Sequence, residues 1–197
     1  MVETEIRRAG PLAKTAHALR ERLELVFPGN LFTHQWMPSR VDRKVWMELI
    51  RRTPMIGVGF SGFQKPETTG GLNVISRWMV YAVTQNQSGN EAVLFGDKMA
   101  PGQLDLAEVA SAVLHGHTIQ GIGSIQLIEA ANSYVEDYEQ AGLSITAIEL
   151  TVPVDLSLHE VLGGRATHAA DLIGEMIAWS FDGATFNDNV TIPRGNT

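Results

Sequence analysis

MIGVGFSGFQKPETTGGLNVISRWMVYAVTQ, residues 55–85, decides the architecture of this chain. Its opening holds Gly57-x-Gly59-x-x-Gly62, the glycine spacing of a dinucleotide-binding turn. That turn works where a strand ends and a helix begins, because the helix N-terminus supplies the N–H groups and the dipole that hold a pyrophosphate. Here Phe63-Gln64-Lys65-Pro66 follows, then the turn residues Glu67-Thr68-Thr69-Gly70-Gly71 and a second strand pattern. There is no helix to aim at a phosphate, and the Lys-Ser/Thr pair of a P-loop is missing as well. The three glycines share neither one face nor a helix cap. On a strand they permit a bulge or the close approach of another backbone, including one from a second subunit.

Both halves of the stretch read as strands. Ile56, Val58 and Phe60 alternate along 55–63, and 72–85 is the longest strand pattern in the chain. One face of the latter carries Leu72, Val74, Ser76, Trp78, Val80 and Ala82; the other carries Asn73, Ile75, Arg77, Met79, Tyr81 and Val83. Both faces are substantially apolar, so this strand either sits mid-sheet or turns one face to another subunit.

Working outward, LAKTAHALRERLELVF (12–27) places Leu12, Ala16, Leu19, Leu23 and Val26 on one helical stripe, opened by Pro11 and stopped by Pro28-Gly29. LFTHQWM (31–37) reads as a short strand before Pro38. Ser39 caps a second helix, VDRKVWMELIRR (41–52), which Pro54 stops. Residues 88–102 read as loop with a brief apolar core. Residues 103–116 form another helix, with Leu106, Val109, Ala110, Val113 and Leu114 on one face and Gly116 as its stop. Strands at 123–135 and 143–154 flank an acidic connection and pair as a hairpin. The order predicts an α+β domain: a largely antiparallel or mixed sheet of about four to five strands with helices packed on one face. The domain is expected over 1–155, with a C-terminal helical extension and polar tail over 156–197.

Composition excludes several classes. The 197 residues hold no cysteine, which removes disulfides, thiolate nucleophiles and cysteine-ligated metal sites. No apolar run is long enough to span a bilayer. The N-terminus lacks the apolar core of a signal peptide, so the chain is expected to stay in the cytoplasm where it is made. The net charge of −7 is unevenly spread. Residues 1–60 carry ten Lys/Arg against six Asp/Glu, whereas 91–197 carry three against fifteen. Such a split describes a solvated acidic surface or a two-faced molecule that meets its own copy through opposite patches. Arg7-Arg8 and Arg51-Arg52 fall short of a nucleic-acid stripe.

Motifs that carry chemistry are weak. His115 and His117 are the best metal candidates, yet His115 falls in the last turn of a helix, where an imidazole suits the dipole. Ser61 stands on a strand rather than a nucleophile elbow, and no Gly-x-Ser-x-Gly occurs. Glu136, Asp137 and Glu139 lie in a connection where solvated carboxylates are the default. Trp36, Trp46, Trp78 and Trp179 are spread over four elements and read as core or interface residues. No catalytic, cofactor-binding or metal-binding residue is assigned, and the chain is not expected to be an enzyme or to need a cofactor.

The order of segments does resemble a known family. LAKTAHALRERLELVF, then VWMELIRRTPMIGVGFSGF, RWMVYAVTQNQSGNEA, AEVASAVLHGH and LSITAIELTVPVD follow the pattern of the tail terminator proteins of Mu-like contractile-tailed bacteriophages. The resemblance covers residues about 12–155; the extension after Asp155 departs from the shorter family members. It implies a structural virion protein that assembles as a ring, typically a hexamer, at the head-proximal end of the tail. There it would stop growth of the tail tube and sheath and offer a docking surface to the head-completion or neck protein. The implied partners are its own copies, the tube and sheath proteins and the neck protein, with no membrane. Genomic DNA would pass through the lumen without specific binding, which favours an acidic lining drawn from residue 91 onward. Another neck or baseplate component is the nearest alternative, and a cytosolic metal-binding enzyme a more distant one.

Overall fold

The computed structural model describes residues 10–38, 51, 53–67, 71–132, 142–157 and 161. The helix expected over 41–52 (Arg51 apart), the acidic connection with Glu136, Asp137 and Glu139, Trp46, Trp179 and nearly all of the extension lie outside the described residues. Helix α1 spans Pro11–Glu24. It is followed by β1 (Thr33–Met37), β2 (Met55–Gln64), β3 (Asn73–Gln85), α2 (Asn90–Phe95) and α3 (Gln103–Leu114). The short strands β4 (Thr118–Ile119) and β5 (Gly123–Ser124) precede β6 (Gln126–Asn132) and β7 (Leu143–Asp155).

Five strands form one sheet in the order β1-β2-β3-β7-β6. β1 and β2 run parallel, which the long connection between them allows, and every other neighbour is antiparallel. The chain is thus α+β with a mixed sheet, as the element order predicts. β3 lies at the centre and pairs along its whole length with β7, from Asn73 opposite Asp155 to Gln85 opposite Leu143.

Alternation along these two strands creates the core. Val74, Trp78, Val80 and Ala82 on β3 and Ile148, Leu150, Val152 and Val154 on β7 are buried with Leu19 and Leu23 of α1 and Leu106, Ala110 and Leu114 of α3. Full burial of each such aliphatic side chain contributes about 1.5–3 kcal/mol. The buried indole within this layer is satisfied internally: the Trp78 N–H donates to Ser76 Oγ at 2.9 Å, and that hydroxyl donates to the Val152 carbonyl at 2.8 Å. Ser76 is therefore what lets a tryptophan be buried here without an orphaned donor.

The helical stripes sit slightly rotated from the sequence reading. On α1, Thr15 is fully buried, its hydroxyl bonded to the Pro11 carbonyl, while Val26 is exposed beyond the helix end. On α3, Val109 is exposed and the buried row is Gln103, Leu106, Ala110 and Leu114. Two elements differ from the expectation outright. α2 is a short helix inside the stretch read as loop, and the strand read over 123–135 is divided. Its start folds back as the β4–β5 hairpin around Gly121 (φ +72°), Ile125 drops into the core, and only Gln126–Asn132 joins the main sheet.

The glycines of 57–62 also resolve. Gly57 and Gly59 do share a face, contrary to the sequence reading, and what covers it is Met37 of β1. A Cβ at Gly57 would lie 2.7 Å from Met37 Cγ, and one at Gly59 3.1 Å from Met37 Cβ. The close neighbour is a side chain of this same chain's adjacent strand. Gly62, at φ +132°, ends a bulge that shifts the register between Phe60 and Gly62.

Candidate functional site

The residues that suggested chemistry are dispersed. His115 caps α3, and its Nδ1 accepts a hydrogen bond from the Leu127 backbone N–H at 3.2 Å. His117 follows as the turn into β4, its backbone bonded to Leu114 and Ile125. No three His, Cys, Asp or Glu side chains gather as metal ligands among the described residues. Ser61 is an exposed residue within the bulge of β2. His34 donates from Nε2 to the Phe27 carbonyl at 2.7 Å, and His17 meets the Trp36 ring edge-on. These imidazoles hold loops and strand ends in place.

What the fold presents instead is surface. On the sheet face away from the helices, Met37, Met55, Val83 and Ile145 form a second buried cluster, with Tyr81 and Leu143 packed against it. Burial raises the Tyr81 hydroxyl above its ordinary pKa. Further along the same face, Arg77 donates from Nε to the Glu149 carboxylate at 2.9 Å, so opposite charges are paired across β3 and β7.

The connection from β3 to α3 is a built loop. Asp97 accepts from the backbone N–H groups of Met99 (2.7 Å) and Ala100 (3.1 Å) and from the Ser88 hydroxyl (2.8 Å). Those donors hold its carboxyl below the usual carboxylate range, with Met99 the largest contributor. Asn86 fixes the other end, donating from Nδ2 to the Ala92 carbonyl at 3.0 Å. The loop carries Phe95 and Met99 outward, 63% and 91% exposed. A second apolar surface lies at the end of α1, where Leu25 and Leu31 are exposed beside an open cleft of about 360 Å³ lined by Arg20, Glu24, Phe32 and His34. Trp36, on β1, is half-exposed with the Arg20 guanidinium 5.1 Å from its ring centre. The sequence reads 88–102 as loop, with the turn chemistry of Gly96-Asp97 and Pro101-Gly102 as its signal; no motif marks α2 or the Asp97 turn within it.

No curated protein matches this chain. Among solved structures, a chain described as "Virion of native gene transfer agent (GTA) particle" aligns at 12% identity with a TM-score of 0.42, covering 72% of this chain and 92% of that one. A family model described as "Bacteriophage Mu, Gp37" matches residues 11–154, from the first residue of α1 to the penultimate residue of β7. That span takes in the whole sheet and both helices of the core, and it agrees with the resemblance carried by the segments between 12 and 155. The chain belongs to the bacteriophage Mu Gp37 family.

Proposed function

We propose that this protein is a structural subunit of a phage virion: a tail terminator that forms a ring, six subunits in the fullest reading, at the head-proximal end of a contractile tail. The observation that carries this reading is the family match across the entire described fold. The ring stops addition of tube and sheath subunits and gives the neck protein a surface on which to dock. Ring formation needs two different complementary patches on each subunit, and the basic 1–60 and acidic 91–197 halves supply charge of opposite sign for them. An acidic lumen lets DNA through, since a basic one would hold its phosphates. DNA retained by the assembled ring in low salt and released in high salt would contradict that lining.

The test of the terminator role is tail length. Phage particles made without this protein should carry tails of unregulated length that fail to join heads, and supplying the protein should restore both. Tails of normal length joined to heads in its absence would overturn the reading. Tails of normal length that lack only a baseplate would instead indicate a baseplate component.

A further inference from the structure

Two patches on opposite faces of the sheet lack a counterpart in their own chain. The first is the tip of the 86–102 loop. It lies on the helix side, because Thr84, in line with the core residues Val80 and Ala82, donates to the Pro101 carbonyl at 3.0 Å. The tip exposes Phe95, Lys98 and Met99, and Met99 is the most exposed large apolar side chain among the described residues. It is held from within: the Asp97 carboxylate is taken up by donors from Met99, Ala100 and Ser88, and Gly96 bridges to Pro101. A protruding apolar tip that is already ordered loses little freedom on docking. Lys98 is the base it carries outward.

The second patch lies on the other face. There Glu129 of β6 stands directly opposite Glu149 of β7. Like charges so placed destabilise a sheet, and Arg77 donates to Glu149 rather than to Glu129. Among the described residues, neither Glu129 nor Lys98 has an ion-pair partner. The next row on this face runs Tyr81, Ala147, Ala131, so two small side chains form a floor beside the acid pair. Glu129 and Ala131 are both exposed, and two residues of strand set them about 7 Å apart.

A base beside a large apolar side chain, as in Lys98-Met99, matches an acid beside an apolar floor. The chain cannot make this match with itself, since tip and floor lie on opposite sides of the sheet. Joining two tips would set Lys98 against Lys98, and joining two floors Glu129 against Glu129, so charge selects the unlike pair. We infer that the 95–99 tip of one copy docks on the β6–β7 floor of the next, with Lys98 pairing to Glu129 and Met99 covering Ala131 and Ala147. This is a head-to-tail contact, the kind a ring requires. The inference rests on the ring proposed above. It assigns the two patches to these local groups rather than to the overall charge split between 1–60 and 91–197.

In the full-length protein, Lys98→Glu or Glu129→Lys should raise the concentration at half-assembly about tenfold, because each sets like charges across the contact. Mixing the two variants should restore assembly, since each tip then meets an opposite charge on the other variant. Met99→Ser should weaken assembly without lowering the unfolding midpoint of the unassembled chain. Glu129→Lys removes the opposition to Glu149, so the unassembled chain should be at least as stable as wild type while its ring is weaker. A carbodiimide should join Lys98 to Glu129 between isotopically distinct copies. Wild-type rings with no such cross-link, unchanged by either reversal, would overturn this contact and leave the ring standing. Open strings of subunits cross-linked through these two residues would keep the contact and remove the ring. A wild-type chain that stays alone at every concentration would overturn both.

Discussion

Met37 lies across Gly57 and Gly59 because only glycine leaves room on β2 for its side chain. A methyl at residue 57 meets Met37 Cγ and Sδ at 2.7 and 2.8 Å, atoms that move only by disturbing the cluster with Met55, Val83 and Ile145. Gly57→Ala should therefore destabilise by about 1 kcal/mol, the low end of overpacking costs. In a Met37→Ala background that penalty should vanish or reverse, a coupling of about 0.5–3 kcal/mol between touching residues. Urea unfolding of the four chains in the cycle checks this; strict additivity would contradict the packing. Ser76→Ala leaves the buried Trp78 N–H without its acceptor and should cost about 1–3 kcal/mol. Its measured denaturation midpoint should fall accordingly, and Ser76→Thr should recover part of the loss. At this scale the sequence was informative in kind: glycines on a strand did mean bulge and close approach. It could not name Met37 as the neighbour, because that depends on β1 lying parallel beside β2.

Elements with long alternation were legible. β2, β3 and β7 each bury a clear apolar row, and α1 and α3 each carry a continuous stripe, so periodicity located all five to within a few residues. The exact buried rows moved by about one residue because α1 and α3 also pack on each other, with Arg22 donating to the Val113 carbonyl. α2, β4 and β5 were missed for a different reason: elements this short hold no full period and are fixed by turns and capping bonds. The 86–102 loop shows the physics of such segments. The Asp97 carboxylate, as an anion, accepts the Met99, Ser88 and Ala100 donors, so its pKa is lower folded than unfolded. Order gained this way is fully present above the unfolded value of about 4 and is lost as pH falls through the lower folded one. Amide protection at Met99 and Ala100, corrected for intrinsic exchange, should drop on acidification through that window. In Asp97→Asn it should be lower at neutral pH and flat across the window. Equal protection in both chains would contradict the role given to the carboxylate.

For the whole molecule, the charge asymmetry and the α+β class were visible from residue order, whereas strand order was not. That order places Glu129 of β6 opposite Glu149 of β7, on the sheet face away from the 95–99 tip. No spacing rule would have done so. The candidate site was hard to read for the same reason. The exposed apolar side chains Phe95, Met99 and Trp36, the candidates for an assembly surface, form no motif. The proposed working form of the chain is a closed ring. The most direct measurement is the mass of the purified full-length protein in solution over a wide concentration range, with images of the same sample. A discrete ring species at about six times the 21.5 kDa of the chain is expected. A species that stays at the mass of one chain at every concentration would contradict it.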